Sequence, residues 1–466
     1  MKNALLILLV ACSSGSGQRQ AKGWADGIAL GQAEDQDPDT HIVDVSLEAR
    51  VAPRELRPGV VTELWTYDGQ VPGPTLRVRR GDVLRVRFTN HLPAPTTIHW
   101  HGLRIDAAMD GSEMTQAPIQ PGASFTYELT PPDAGTYWYH PHHDSSGQVG
   151  QGLYGALIVE DDEPPLGDEA VLVLSDASVK DDGTLRPPND TGWFGDYFGR
   201  EGNVLLVNGR VLPEIKTRTG APERWRIINA SRARFYELSV PDHVLEQVAS
   251  DGGLLERPRA IGSLRLVPGE RMDVVVTPKP EAASRTEVMW HDMDRYGIGY
   301  TRDPERLFVL VKSDLPPWSE PARSDAVMRD FSPLDVSTAS TRRIELGEKA
   351  AGGTTVLAIN GQAYSEALPI DAHVGTTEIW EIVNTTSYDH PFHLHGFSFQ
   401  VLDTKNNLRA REWKDTVNVR GKSTLRFAVY FDDRPGMWMF HCHILDHAAL
   451  GMMGMLHVIG HGDTHR

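Results

Sequence analysis

Residues 68–90 read DGQVPGPTLRVRRGDVLRVRFTN, and the same order of turn, extended segment and strand occurs three times along the chain. The second copy starts at Asn208 with NGRVLPEIKTRTG, and the third starts at Asn360 with NGQAYSEALPIDAHVG. Each copy has a two-residue turn signal, a Pro-containing extended stretch, a Gly and an alternating apolar strand that ends in Asn. The repeat predicts three copies of one strand-rich module.

A second turn and strand follow later in each copy: PGASFTYEL from Pro121, PGERMDVVV from Pro268 and RGKSTLRFAV from Arg420. Strands of period two, separated by Gly, Pro and Asn and without long amphipathic helices, are typical of β-sandwiches. We therefore predict an all-β protein with three Greek-key sandwich domains. The predicted domains cover residues 40–165, 166–315 and 345–461, with a Pro-rich linker at 316–344.

Histidine pairs fall at matching positions in the first and third copies. Nine and eleven residues after the strand-ending Asn, the first copy has His99 and His101 and the third has His393 and His395. Further on, GTYWYHPH aligns with GMWMFHCH, which adds His140, His142, His441 and His443. Residues two apart on a strand face the same side, so each pair can direct both rings into one space. Eight imidazoles in matching register predict metal ligands and not a random scatter of histidines over the surface.

The third copy carries a second set of metal-binding side chains, namely His390, Cys442, His447 and Met452. Two imidazoles, one thiolate and one axial thioether match a blue-copper electron-transfer site. Zinc also binds His and Cys, but it would not require eight imidazoles beside a separate set of this kind. Met452 has an alternative role as core filling, because Met453 and Met455 follow it.

The start of the chain, MKNALLILLVACSSGSG, is typical of an export signal. Its Leu-Val-Ala-Cys run resembles a bacterial lipobox, which predicts a signal peptide at 1–12 with cleavage before Cys12, and lipidation of that cysteine. Residues 13–39 are then expected to form a flexible tether. With Ser13 next, we expect export to the periplasmic side and a lipid anchor in the outer membrane. Cys442 would have no disulfide partner.

The net charge of −17 over 466 residues argues against nucleic acid or an anionic membrane surface as a partner. It mildly favours cationic substrates. Membrane attachment is expected through the lipid alone, and we expect a monomer.

The motifs HWHG, WYHPH, HPFHLHG and HCHILDHAALGM together resemble those of three-domain multicopper oxidases of the bacterial laccase and cuprous-oxidase group. This resemblance implies cupredoxin-like domains, four coppers per chain, and reduction of O₂ to two waters by four one-electron oxidations of a donor. By position, the type 1 copper would bind His390, Cys442, His447 and Met452. The type 2 copper would bind His99 and His393. The type 3 coppers would bind His101, His140 and His443, and His142, His395 and His441.

The resemblance also implies roles for particular residues. His447, in a loop beyond the strand, would receive electrons from the donor at a type 1 site near the surface. Cys442 would pass them to its histidine neighbours, and Asp110 would relay protons near the type 2 copper. Many bacterial relatives carry an acid directly after the last type 1 histidine, where this chain has Ala448. The second domain, without ligands, would act as a spacer.

The donor is predicted from what the sequence lacks. Cuprous oxidases often add a methionine-rich segment near the type 1 site, and this chain has no such run. We therefore expect a laccase-like oxidase of phenols or aromatic amines, with cuprous oxidation in periplasmic copper tolerance as the alternative. A non-catalytic alternative is a copper-sequestering protein.

Overall fold

The computed structural model describes residues 28–57, 59–163, 166–187, 192–218, 221–313, 327–351 and 354–462. Cys12 and the predicted signal peptide therefore lie outside the described residues. No helix in the described part of the chain is both long and apolar enough to span a membrane.

The first sandwich has eight strands and one helix. They are β1 (Ile42–Arg57), β2 (Val60–Tyr67), β3 (Gly73–Arg79), β4 (Val83–Asn90), β5 (His99–His101), β6 (Ser124–Leu129), β7 (Gly135–His140), α1 (Ser145–Gln151) and β8 (Gly155–Glu160). A 3₁₀ turn covers Ala107–Met109. The two sheets have the orders β2-β1-β4-β6 and β3-β8-β7-β5.

The second sandwich also has two sheets, and a short helix follows its first strand. Its elements are β9 (Asp168–Ala177), α2 (Gly192–Phe198), β10 (Val204–Val207), β11 (Glu214–Thr217), β12 (Glu223–Asn229), β13 (Tyr236–Ser239), β14 (His243–Ser250), β15 (Gly253–Ile261), β16 (Leu264–Leu266), β17 (Arg271–Pro278), β18 (Arg285–His291) and β19 (Glu305–Lys312). The sheet orders are β10-β9-β12-β17-β14-β15 and β11-β19-β18-β13-β16.

The third sandwich resembles the first, with a short helix near its end. Its elements are β20 (Ser340–Ala351), β21 (Thr354–Ile359), β22 (Ile370–His373), β23 (Thr376–Asn384), β24 (His390–Leu394), β25 (Phe399–Leu402), β26 (Thr416–Val419), β27 (Thr424–Phe431), β28 (Gly436–Cys442), α3 (Leu445–Ala449) and β29 (Met453–Ile459). A 3₁₀ turn covers Tyr364–Glu366. The sheet orders are β21-β20-β23-β27-β25 and β22-β29-β28-β24-β26.

The internal repeat is visible in the strand pairing. The Asn-terminated strands β4, β12 and β23 each run parallel to the first strand of their sandwich, which is β1, β9 or β20. On the other side each pairs antiparallel with the later strand of the repeat, β6, β17 or β27. The prediction of an all-β chain with cupredoxin-like sandwiches is confirmed.

The strand-ending asparagines explain why the repeat keeps its register. The Asn90 Nδ2 donates to the carbonyls of Ala94 and Ile119, at 2.9 and 2.8 Å, and its Oδ1 accepts from the Leu92 amide. Asn229 and Asn384 make equivalent bonds. Each accepts from the amide two positions on and donates to one later carbonyl and to one nearby carbonyl, which is five positions on for Asn229 and four for Asn384. Because the asparagine amide closes the turn after the strand, the histidine pair nine residues later in copies one and three starts at the same place.

Each sandwich encloses its own apolar core between its two sheets. Val86, Trp225 and Trp380 are fully buried on the equivalent strands of the three sandwiches. Each such side chain contributes about 2 kcal/mol when it is removed from water. The cores hold the sheets rigid, and the histidines lie at the ends of these sheets.

Two predictions about connecting segments need correction. Residues 28–39 are not a flexible tether, because Ile28 is buried in the core of the second sandwich and its carbonyl accepts from Asn208 Nδ2 at 2.7 Å. The Gly31 carbonyl also accepts from the amide of Thr75 on β3. The predicted linker is too long, since β20 starts at Ser340 and pairs parallel with β23. The remaining domain boundaries stay predictions.

Candidate metal centre

The eight paired histidines meet where the first sandwich faces the third. In the first sandwich, β5 pairs with β7 so that His99 lies opposite His140. In the third, β24 pairs with β28 so that His393 lies opposite His441. The other four histidines, His101, His142, His395 and His443, belong to the same His-x-His motifs, and all eight side chains are buried. Two equivalent pairs of strands thus direct their imidazoles into one space.

The rings form close groups across the domain interface. His101 and His443 have ring centroids 4.8 Å apart, as do His142 and His395. Ligand nitrogens lie within 4.8 Å of one another in three all-histidine sets. These sets are His99, His393 and His395; His99, His101 and His140; and His142, His395 and His441. The last set contains the three histidines predicted for one type 3 copper.

One nitrogen of most of these rings is fixed by an oxygen acceptor. The Nδ1 atoms of His99, His140, His393 and His441 donate to backbone carbonyls at 2.9 to 3.0 Å. The carbonyls belong to Asp110, Pro141, Asp415 and Cys442. Because the outer nitrogen carries the proton, the inner nitrogen of each ring presents a lone pair to the shared space.

Six of the eight rings have an inner nitrogen without a hydrogen-bond partner among the described residues. This holds for Nε2 of His99, His140, His142, His393 and His443 and for Nδ1 of His101 and His443. Burial holds the pKa of most of these rings below its ordinary value, well below for His101 and His140 and at about 3 for His441. Buried, neutral, unpaired lone pairs are costly unless a cation binds them. The donor set therefore fits metal ions.

The Asp110 side chain lies directly against this cluster. Its Oδ2 is 2.9 Å from Nδ1 of His395 and its Oδ1 is 3.3 Å from Nδ1 of His99. Burial alone would raise the pKa of Asp110, but the two neighbouring imidazoles hold that pKa well below its ordinary value. Asp110 thus joins the first sandwich to the third at the cluster. Its predicted place beside the histidines agrees with this geometry.

A second buried carboxylate, Asp415, was missed from the sequence. Its Oδ1 lies 3.3 Å from Nε2 of His101 and 3.5 Å from Nδ1 of His393. Arg271 of the second sandwich holds Asp415 with two hydrogen bonds of 2.7 and 2.5 Å. Burial alone would raise the pKa of Asp415, but Arg271 and the histidines hold it well below its ordinary value. The sequence signal was only a Trp-Lys-Asp-Thr run before β26, without a histidine pattern.

The second sandwich therefore does more than space the other two. Arg271 has no exposed side-chain surface and also donates to the carbonyls of Gly269 and Asp251. Gly269, with φ of 88°, lies so close to the cluster that a Cβ atom would be 2.9 Å from the His443 ring and 3.0 Å from the His101 ring. Only glycine allows this approach.

The separate His-Cys set is assembled in the third sandwich. Cys442 Sγ lies 3.4 Å from Nδ1 of His390 and 3.5 Å from Nδ1 of His447. The two Nδ1 atoms are 3.1 Å apart, and all three residues are fully buried. Burial raises the pKa of the Cys442 thiol, so a bound cation is needed to hold it as a thiolate. This donor set fits copper held by two histidines and one cysteine.

Met452 and His447 follow Cys442 in the chain and are tied to it through the backbone. Met452 is fully buried, and its amide and carbonyl bond to the His447 carbonyl and the Cys442 amide at 2.9 and 3.1 Å. His447 was expected in a loop, but it lies in α3. It also has no exposed surface, because its Nε2 donates to the carbonyl of Tyr197 in α2 at 2.9 Å. The expectation of a type 1 site near the surface needs this correction.

Strand alternation joins the two sites. Along β28 and just beyond it, His441 and His443 face the histidine cluster, while Cys442 between them faces His390 and His447. One short stretch of backbone therefore connects the cysteine site to the cluster. The protein has three β-sandwiches and a His-Cys site that is joined through one strand to an eight-histidine cluster. These features define a copper-dependent redox protein.

Comparisons with known proteins agree with this class. Family models described as multicopper oxidase match residues 50–164, 169–286 and 334–460. The multicopper oxidase MmcO of Mycobacterium tuberculosis is 30% identical, covering 97% of this chain and 94% of that protein. The chain belongs to the multicopper oxidase family and is an oxidase.

Solved structures support the same assignment. The structure of a Campylobacter jejuni multicopper oxidase, described as a metallo-oxidase, matches with a TM-score of 0.82 and 30% identity, over 92% of this chain and 94% of that chain. The laccase-like CueO from Ochrobactrum sp., described as active towards lignin model compounds, matches with a TM-score of 0.81 and 25% identity, over 93% and 100%.

Proposed function

We propose that the chain holds four coppers and couples four one-electron oxidations of a phenol or aromatic amine to the reduction of O₂ to two waters. The observation that carries this proposal is the set of buried inner nitrogens that converge without a hydrogen-bond partner in the described structure. Eight buried rings, six of them with such a nitrogen, beside a buried His-Cys set match the number and chemistry of four copper sites. The copper centres supply one-electron redox chemistry and the binding and reduction of O₂.

The ligands are proposed as follows. The type 1 copper takes His390, Cys442, His447 and Met452. The type 2 copper takes His99 and His393. The type 3 coppers take His101, His140 and His443, and His142, His395 and His441. The close sets formed by His390, Cys442 and His447 and by His142, His395 and His441 support this division.

The chain itself has three tasks in this reaction. Cys442 connects the two sites through its peptide neighbours, and its carbonyl accepts from His441 Nδ1 at 2.9 Å. The outer nitrogens of His390 and His447 donate to the Thr386 hydroxyl oxygen and the Tyr197 backbone carbonyl, and these hydrogen bonds orient both rings towards the sulfur. Asp110, which contacts two cluster histidines, is suited to accept and pass on protons there.

The donor class rests on the absence of a soft binding surface for Cu(I) in the sequence. Met452 packs in the core of the third sandwich, Met439 is buried, and Met437, Met453 and Met455 are partly buried on β28 and β29, so these methionines do not form a fully exposed thioether surface. The Ochrobactrum relative is described as laccase-like. The net charge of −17 favours neutral or cationic donors such as aromatic amines.

Cuprous oxidation in copper tolerance is the second candidate, because the Campylobacter relative is described as a metallo-oxidase. Side-by-side O₂ uptake by the copper-loaded protein with a methoxyphenol, an aromatic diamine and Cu(I) separates the candidates. Faster turnover of the organic donors supports the proposal, and faster turnover of Cu(I) supports the alternative. Absence of O₂ uptake with every donor would favour a copper-sequestering protein instead.

We also propose that the chain is exported to the periplasmic side and anchored to the outer membrane by lipid on Cys12. The Leu-Val-Ala-Cys run supports this proposal. Cys12→Ser should move the protein from the membrane fraction to the soluble periplasmic fraction. A variant that stays fully membrane-bound would contradict lipid anchoring.

A further inference from the structure

The proposed type 1 ligands are closed off from solvent by a segment of the second sandwich. His390, Cys442, His447 and Met452 are all fully buried. The outer nitrogen of His447 is covered by the carbonyl of Tyr197, in α2, at 2.9 Å. A donor molecule therefore cannot touch a ligand of this site directly, and an electron has to cross the protein atoms that lie between.

Helix α2 is held in place over the site by charged contacts that span domains. Next to its end, the Arg200 amide donates to Asp446 Oδ2 and the Arg200 Nε donates to Asp446 Oδ1, both at 2.6 Å. Asp446 directly precedes His447 in the chain. The last residue of α2, Phe198, offers its carbonyl to Arg295 at 2.7 Å. Helix α2 is thus fixed to α3, the helix that contains His447.

A continuous series of aromatic rings leads from this cover to the ligand histidines. The innermost ring, Tyr388, has its centroid 5.0 Å from that of His390 and 5.8 Å from that of His447. The Phe198 ring lies 5.3 Å from the Tyr388 ring, and the Tyr197 ring lies 6.5 Å from it. Every step between neighbouring rings is within the range of direct aromatic contact.

The outer end of the series reaches solvent at three rings, which we name the aromatic cap: Phe194, Tyr197 and Tyr300. Phe194 and Tyr197 are each 36% exposed, and Tyr300 is 45% exposed. The Phe194 ring lies 4.8 Å from Phe198 and 6.2 Å from Tyr300. The cap is therefore continuous with the rings beneath it.

We infer that the aromatic cap is the docking surface for an aromatic one-electron donor, and that electrons enter through α2 to His447. Exposed rings offer stacking faces to a planar phenol or amine. From these rings, the Tyr197 carbonyl and the Tyr388 ring provide contacts to His447. This inference rests on the proposed donor class. A docked phenol would give up one electron to the copper that Cys442 would hold and one hydroxyl proton to water, and would leave as a phenoxyl radical. No bond forms between donor and protein.

The test uses the copper-loaded chain without O₂ and follows bleaching of the blue absorption by stopped flow. Phe194→Ala and Tyr197→Ala are compared with Tyr430→Ala, an exposed ring of the third sandwich that has no ring contact with the cap in the described structure. Substitution at position 197 leaves the backbone carbonyl and its bond to His447 available. Leucine at the same two positions keeps the apolar volume while it removes the stacking face.

The bleaching rate with a methoxyphenol is expected to fall about fivefold in each cap variant, the size of one lost aromatic contact. The rate with Cu(I), which does not stack, and the intensity of the blue band should not change. Binding of a non-oxidisable methoxybenzene, measured by saturation-transfer NMR, should weaken in the same variants. Tyr430→Ala should match the unaltered chain in all three measurements.

Two other results are distinguishable from this one. If the unaltered chain is bleached by the methoxyphenol and the cap variants react and bind equally well, the docking inference is wrong while the donor class stands. If the unaltered chain is bleached by Cu(I) but by no phenol or amine, the proposed donor class fails, and the docking inference fails with it.

Discussion

Nδ1 of His395, in the third sandwich, lies 2.9 Å from Oδ2 of Asp110, in the first. The other oxygen of this carboxylate lies 3.3 Å from Nδ1 of His99. One acid therefore contacts histidines from both sides of the domain interface. The cluster depends on docking of the two sandwiches, because neither supplies the complete set of ligands.

Asp110→Asn should lower kcat about a hundredfold, the usual size of an acid-base contribution, because an amide cannot accept the proton. The blue absorption should stay, since Asp110 does not contact Cys442 in the described structure. Turnover with a methoxyphenol and the visible spectrum measure the two effects. The control is Asp106→Asn, an exposed acid four residues earlier. If turnover does not change, Asp110 has no part in the mechanism.

Cys442→Ser should abolish the blue absorption and donor oxidation, because the hydroxyl does not replace the thiolate as a copper ligand. Copper analysis should show three coppers in place of four. The chain has only one other cysteine, so Cys12→Ser is the matched control and should keep its colour. A Cys442→Ser variant that is still blue would refute the assignment of the sulfur ligand.

Arg271→Lys should weaken copper binding by the histidine cluster about tenfold, which is the usual effect of replacing a residue that holds a metal ligand in position. Lysine keeps the charge but loses the two-pronged contact with Asp415, which orients His101 and His393. Competition with a chelator and the type 2 EPR signal measure the change. Arg259→Lys is the control, because Arg259 is an exposed arginine of the same sandwich that pairs with Glu412 of the third. Equal copper affinity in both variants would contradict the positioning role.

Glu201 should make stability depend on pH in the acid range. It accepts from Arg295 at 2.5 Å and Arg302 at 2.6 Å, and Arg234 lies 3.1 Å away. Burial alone would raise the pKa of Glu201, but the arginines lower it from the ordinary 4.5 to about 2. Because the folded pKa is the lower one, the stabilisation is complete above pH 4.5 and is lost as pH falls towards 2.

We therefore expect Glu201→Gln to lower the free energy of unfolding by about 3 kcal/mol at pH 7. The difference from the unaltered chain should shrink between pH 4.5 and 2, as followed by urea unfolding. Glu287→Gln, which breaks an exposed pair with Arg306, should have little effect at any pH. A constant difference down to pH 2 would contradict this account of Glu201.

The parts of the fold that repeat in the sequence could be predicted from it. The strand-ending Asn90, Asn229 and Asn384 act through local hydrogen bonds, so their spacing fixes where the next strand begins. Histidines at a constant distance from them therefore marked both the interface and the ligands. The packing of Ile28 was not predictable in the same way, because its contacts lie far along the chain.

The parts of the site that depend on the second sandwich could not be predicted. Arg271 and the carbonyl of Tyr197 reach Asp415 and His447 from a domain that has no histidine motif of this kind. Neither residue belongs to a pattern with the histidines. Their roles follow from how three domains pack, which local spacing does not encode. The burial of His447 was missed for the same reason.

The most direct test of the central claim is the stoichiometry of O₂ consumption by the copper-loaded protein. An oxygen electrode, combined with an assay for hydrogen peroxide, counts the electrons taken from a methoxyphenol for each O₂ consumed. If the cluster is shared by two sandwiches and receives its electrons through Cys442, the reaction should take four electrons per O₂ and release no free peroxide. Two electrons per O₂ with release of hydrogen peroxide, or no O₂ uptake by fully copper-loaded protein, would contradict the account.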